Sequence, residues 1–176
     1  MTHRSGRGAQ TGAAMMEVLV AMLIVAFGVL GFVGLQARTT LSGLEGYQRS
    51  QALLLANDIA QRISANRAAA ASYVVADVGV VDPGPCPAAA GAARDLCEWA
   101  NLLRGTADKQ GVSKFGAMQG ARGCIASVGA GEYLVSVAWQ GVQTTGPAPV
   151  PCGNGAYSSE NLRRGLSTVV RIGTLS

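Results

Sequence analysis

Histidine is almost missing from this sequence: the single one, His3, stands beside Arg4 at the start of 176 residues. Ser-His-Asp and Cys-His catalysis, His-ligated zinc and the HExxH motif all need an imidazole held in a folded site. None of these has its central group here. Phosphate loops are also lacking, because Lys109 follows Asp108, Lys114 follows Ser113, and no G-x-G-x-x-G follows a strand-like run. Cys86, Cys97, Cys124 and Cys152 are separated by 10, 26 and 27 residues, which leaves no C-x-x-C redox or zinc-knuckle spacing. Charged residues make up only 14% and aromatics 5%, against an apolar fraction of 49%, so most of the chain is not intrinsically disordered. The expectation is a protein that is not an enzyme, with no cofactor and no metal site.

What is abundant is apolar sequence, and it is concentrated. Val18 to Leu35 is a run of 18 residues without a charge or a strongly polar group. At 1.5 Å per residue a helix of this length measures roughly 27 Å, about one hydrocarbon thickness. Arg4 and Arg7 precede the run with no acidic residue before Glu17, so the short amino end is expected to stay cytoplasmic and the rest to be exported. A conventional signal peptide fits poorly. The chain reads Gly34-Leu35-Gln36-Ala37 where a small-x-small cleavage triplet belongs. Glu17 is out of place as well, since an unpaired carboxylate reaching the hydrocarbon costs about 2 to 3 kcal/mol. Inside the run, Gly28, Gly31 and Gly34 offer a small-residue face and weaken the helix by about 1 kcal/mol each in water.

The stretch Gly12-Ala13-Ala14-Met15-Met16-Glu17, after a basic leader and before the apolar run, resembles the processing site of type IV pilins and type II secretion pseudopilins. The resemblance implies a leader of residues 1–12, cut after Gly12 by a prepilin peptidase/methyltransferase. Ala13 becomes the N-methylated first residue, although that position usually carries phenylalanine or methionine. Glu17 becomes the fifth residue, the assembly glutamate. Its carboxylate would pair with the positive amino terminus of a neighbouring subunit in a low-dielectric filament core and set axial register. The Arg4 and Arg7 charges leave with the leader, so the formal charge of +4 falls to 12 basic against 10 acidic groups.

Beyond Arg38 the pattern changes. Between Glu45 and Arg67, Ala52, Leu55, Ala56, Ile59, Ala60 and Ile63 follow steps of three and four, the mark of a helix with one apolar face. One helix from Ala13 to about Ala70 is expected, bent near Gly43 and Gly46. Residues 13–37 form its membrane or filament-core part and 38–176 a periplasmic domain. Asp82 to Gly91 is rich in proline and glycine and reads as loop, followed by a short helix over Ala92 to Arg104, within a loop-and-helix region 71–105. Strands follow over 120–176. Gly123 to Val128 is one candidate; Tyr133, Val135, Val137 and Trp139 alternate with Leu134, Ser136, Ala138 and Gln140; Leu166, Thr168, Val170 and Ile172 alternate last. Helix first and antiparallel sheet afterwards is the α+β class, and with the resemblance a type IV pilin-like fold. Trp99 and Trp139 read as core residues under the sheet; Tyr73 and Tyr157 lie in loop-like sequence without assignment.

An even number of cysteines in an exported domain implies disulfides. Of three pairings the sequential one is favoured, Cys86 with Cys97 and Cys124 with Cys152, because each closes a connection with no core of its own. In the chain-entropy picture these contribute roughly 3 and 3.5 kcal/mol. The blocks Met16 to Ala21, Gly28 to Gly31 and Leu35-Gln36, then Asp95 to Trp99, Val137 to Gly141 and Val169 to Ile172, are similar to the type IV pilus modification protein PilV group of minor pilins. That likeness implies a low-abundance subunit that helps initiate pilus assembly. Its implied partners are other minor and major pilins through the amino-terminal helix, the inner membrane and the inner-membrane assembly platform. The alternatives are a minor pseudopilin of a type II secretion system and a DNA-binding pilin used in transformation. DNA binding would use a basic exposed stripe. Arg163-Arg164 is the only adjacent basic pair after the apolar run and reads more simply as a solvated turn, so nucleic acid is not an expected partner.

Overall fold

The structure, a computed structural model, describes residues 11–105, 109–110, 113–114 and 118–173. The chain forms two compact units, Met1–Gly43 and Leu44–Ser176. In the first, helix α1, which runs Thr11–Ala65 as a whole, exposes every described side chain from Ala14 to Thr40. Thr39 and Thr40 return their hydroxyls to the Gln36 carbonyl at 2.8 and 3.0 Å, a local bond that lets polar residues stay in the helix. Gly43 and Gly46 are both α-helical.

In the second unit the rest of α1 buries Ala52, Ala56, Ile59 and Ile63, each at most 1% exposed and spaced by four, three and four residues. This is the stripe that the periodicity predicts. The helix then stops at Ala65, earlier than the expected Ala70, and residues Arg67–Tyr73 form a tighter 3-10 segment. The alanines there favour α-helix, but burial of Tyr73 overrides them: its side chain is fully buried and its hydroxyl accepts from Asn66 Nδ2 at 3.2 Å. Strand β1 (Val75–Val78) follows, within a region expected to hold only loop and helix. Its four residues are too few to show a period. Helix α2 is Ala92–Leu103. A two-residue hairpin, β2 (Lys109–Gln110) with β3 (Ser113–Lys114), was not anticipated either.

The remaining strands, β4 (Arg122–Gly129), β5 (Glu132–Gln140) and β6 (Arg163–Arg171), join β1 in an antiparallel sheet of order β1-β4-β5-β6. This is an α+β, pilin-like fold. Tyr133, Val135, Val137 and Trp139 of β5 turn into one core with Ile125, Leu103, Trp99 and the α1 stripe. Burial does not alternate fully, however. Ser136 and Ala138 on the opposite face are also buried, at 3% and 0% exposure, because the chain around Cys152 covers that side.

Trp99 packs tightly between α1 and β4. Its indole N–H donates to the Leu55 carbonyl of α1 at 2.9 Å, and its ring lies where a side chain on Gly123 of β4 would stand, 2.2 Å from an ideal Cβ. Only glycine fits under the ring. Gly123→Ala is therefore expected to destabilise the protein by about 1 to 3 kcal/mol through overpacking, read as a lower midpoint in urea unfolding; an unchanged midpoint would contradict the packing described.

Candidate assembly site

Gly12 and Ala13 lie in the first turns of α1 and Glu17 one turn further on. Positions 13 and 17 are four apart, the spacing of one helix turn. Residues 1–10, including His3, Arg4 and Arg7, lie outside the described residues. The Glu17 side chain is exposed, and no described residue pairs with it. Around it the surface is almost wholly apolar: the large side chains from Met15 to Leu35 range from 53% to 74% exposed. A helix apolar on all sides is stable only inside hydrocarbon or against other apolar helices. This one is long and apolar enough to cross a membrane. Gly28, Gly31 and Gly34 have nothing within 4 Å of their Cβ positions, so their side of the helix is open to close approach.

The four cysteines form two bonds, Cys86–Cys97 and Cys124–Cys152, with Cα atoms 5.5 and 5.7 Å apart. The first ties the proline-rich loop to α2. The second straps the chain after β5 onto β4, and a buried cation holds that strap from the other side. Arg163 donates to the carbonyls of Val150, of Cys152 at 3.2 Å and of Ala148 at 3.3 Å, and pairs with Glu160 at 2.6 Å. A guanidinium 95% removed from solvent is tolerable only with such a full set of acceptors. The Gly155 N–H first, and Arg163 second, hold the Glu160 carboxyl below the usual carboxylate range.

Arg163 is thus the first residue of β6 and buried at 4% exposure, which corrects the reading of Arg163-Arg164 as a solvated turn. Arg164 is engaged too, with Glu45 of α1 at 3.0 Å and with the carbonyls of Gln143 at 2.5 Å and Asn161 at 3.2 Å. Sequence reasoning missed both because, beside the neighbouring Glu160 and Asn161, their acceptors are Glu45, Gln143 and the carbonyls of the strap. Tyr157, unassigned from sequence, donates its hydroxyl to the Gly120 carbonyl at 2.9 Å, lies under Arg122, and is pushed up to about 12 chiefly by burial. Among the described residues no group of three or more His, Cys, Asp or Glu is placed to hold a metal.

A polar cluster fastens α2 to α1. Arg62 pairs with Asp58 at 3.0 Å, Asp95 at 3.1 Å and Glu98 at 2.6 Å, Arg94 pairs with Glu98 at 2.7 Å, and the Tyr73 hydroxyl donates to Asp95 at 2.5 Å. Bonds from Arg62 and then Arg94 hold the Glu98 carboxyl below its ordinary value, while burial first raises the Tyr73 phenol. Both lowered carboxyls, Glu98 and Glu160, stabilise the fold above their unfolded pKa, and that contribution is lost as pH falls through the folded value. The melting temperature is therefore expected to hold from pH 7 to about 5 and to fall below about 4.5, near the carboxylate range. Arg62→Gln is expected to lower stability at pH 7 by about 1 to 2 kcal/mol and to flatten the acid limb, because Glu98 loses its strongest partner. An acid limb of unchanged slope in this variant would show that the cluster does not carry it.

No protein-family model matches the chain, and neither the curated proteins nor the solved structures include one significantly similar to it.

Proposed function

We propose that this chain is a minor pilin of a type IV pilus, a structural subunit that helps initiate pilus assembly with other pilins. The observation that carries the reading is an amino-terminal half of α1 apolar on every side whose one carboxylate, Glu17, stands a single turn after Ala13 without a described partner. In hydrocarbon that carboxylate needs a cation. Cleavage after Gly12 creates one on every subunit, the amino group of Ala13. Pairing between Glu17 of one subunit and that amine of the next sets their axial offset, and the apolar helices bury one another around the pair. In this reading a prepilin peptidase/methyltransferase processes the chain in the inner membrane. The leader faces the cytoplasm and the disulfide-bonded domain the periplasm, until the assembly platform draws the subunit into a filament.

The DNA-binding reading loses its motive, because both guanidiniums of Arg163-Arg164 are satisfied within the chain. The minor pseudopilin reading shares the helix chemistry and differs in the machine served, which the strain tested below separates.

Mass spectrometry of the mature protein is expected to find an N-methylated chain starting at Ala13, and a deletion strain to lose pili while keeping secretion. Glu17→Ala should be cleaved normally yet reach filaments only at background level. Normal incorporation of that variant, or normal piliation in the deletion strain, would overturn the assignment.

A further inference from the structure

The sheet has two edges, and they are built differently. β1 is four residues long, its register with β4 shifts between Val75 and Val78, and Asp77 within it takes a left-handed φ of +56° with its carboxylate 3.5 Å from Arg122. Shortness, irregular register and charge all discourage a sheet edge from pairing with another chain. β6 lacks the first two: nine residues run in unbroken register along β5, from Glu132 opposite Arg171 to Gln140 opposite Arg163, and no described strand lies on its other side. Ala148 and Val150 cover the outer face at Gly165. Further along, Ser167, Val169 and Arg171 are exposed on that face while Val170 is buried in the core.

Two more observations say what would pair there. A groove of 340 Å³ lies beside this stretch, lined by Asn57, Ala60, Gln61 and Ser64 of α1 and by Val169 to Arg171 of β6. On the other face Ala126, Leu134 and Val169 stand side by side on β4, β5 and β6, an apolar row that ends at the edge with Val169 49% exposed. One strand further, the same row calls for another apolar side chain. Beside it, Arg171 is 78% exposed and suited to a carboxylate, although Glu132 already lies at 2.8 Å.

We infer that the edge of β6 from Leu166 to Arg171 is a strand-addition site for an extended segment of another protein. That segment sets an apolar side chain beside Val169, small polar side chains toward Asn57, Gln61 and Ser64, and an acidic residue at the Arg171 end. Backbone hydrogen bonds to the open edge supply affinity, and the alternating side chains supply choice of partner. A second copy of β6 fits less well. The strand carries Arg163, Arg164 and Arg171 and no acidic residue, so a second copy supplies no carboxylate to the Arg171 end. The inference does not rest on the pilin reading, and leader cleavage or piliation can fail without touching it.

The test uses the full chain in detergent micelles and, as probe, the acetylated peptide amide Glu-Thr-Val-Thr-Val-Thr. Laid antiparallel, it puts its glutamate at Arg171 and its first valine at Val169. Saturable protection of the amides of residues 166–171 from hydrogen exchange is expected. Val169→Lys, on an exposed position, should keep the melting temperature and weaken binding at least tenfold. Arg171→Glu should weaken it similarly, and lysine in place of the peptide's glutamate should restore it. Of two peptides N-methylated on alternate amides, one should lose binding and the other keep it, since only every second amide faces β6. The inference is overturned by no protection at millimolar peptide, by equal binding of both methylated peptides, or by protection that grows with protein concentration alone, the sign of a second copy on the edge.

Discussion

The indole of Trp99 is the point on which the globular unit turns. It belongs to α2, donates to a carbonyl of α1, and sets the end of its ring where β4 has no side chain. Three elements distant in sequence are thereby set to one spacing, since a ring on a bare glycine admits neither a larger residue nor a looser approach. The core follows from it. With α2 held against α1, Leu103 and Tyr73 close beside Ile59 and Ile63, and the alternating residues of β5 meet the helix stripe across the layer.

Outside that core the unit relies on covalent and ionic ties, as suits a small domain with few aromatics and long connections. The Cys86–Cys97 bond ties the preceding loop to α2, and the Arg62 cluster ties α2 to α1. The Cys124–Cys152 bond and the Arg163 guanidinium hold the strap that hides the outer side of β5. That strap also divides β6, covering its beginning and leaving its end open. The amino-terminal half of α1 has no such support of its own. Its large apolar side chains are exposed, and it is long and apolar enough to cross a membrane, with Glu17 the one carboxylate within it.

Much of the fold was legible in the residues because it rests on periodicity. Ala52, Ala56, Ile59 and Ile63 recur as a buried helix face must, and Tyr133, Val135, Val137 and Trp139 as a buried strand face must. Cysteine pairing between sequence neighbours was legible from the loops they close. Illegible were the elements whose conformation is set from elsewhere. The alanines after Arg67 leave the α-helix so that Tyr73 can enter the core, and Val75–Val78 becomes a strand only because β4 offers an edge.

The sequence by itself determined the class of the molecule: an apolar helix with one carboxylate, continued by an amphipathic face and antiparallel strands, in a chain with no imidazole beyond His3. These features need only local composition and spacing, which a chain carries before it folds. Tertiary structure alone decided where the charges go and which edge stays open. Arg163 and Arg164 look like a basic surface pair in one dimension, yet their acceptors, at positions 45, 143, 148, 150, 152, 160 and 161, are assembled only when the strap closes over β6. A buried cation is stable only with its acceptors in place, and beyond the neighbouring Glu160 those of Arg163 are the carbonyls of Ala148, Val150 and Cys152, which only the strap brings to it.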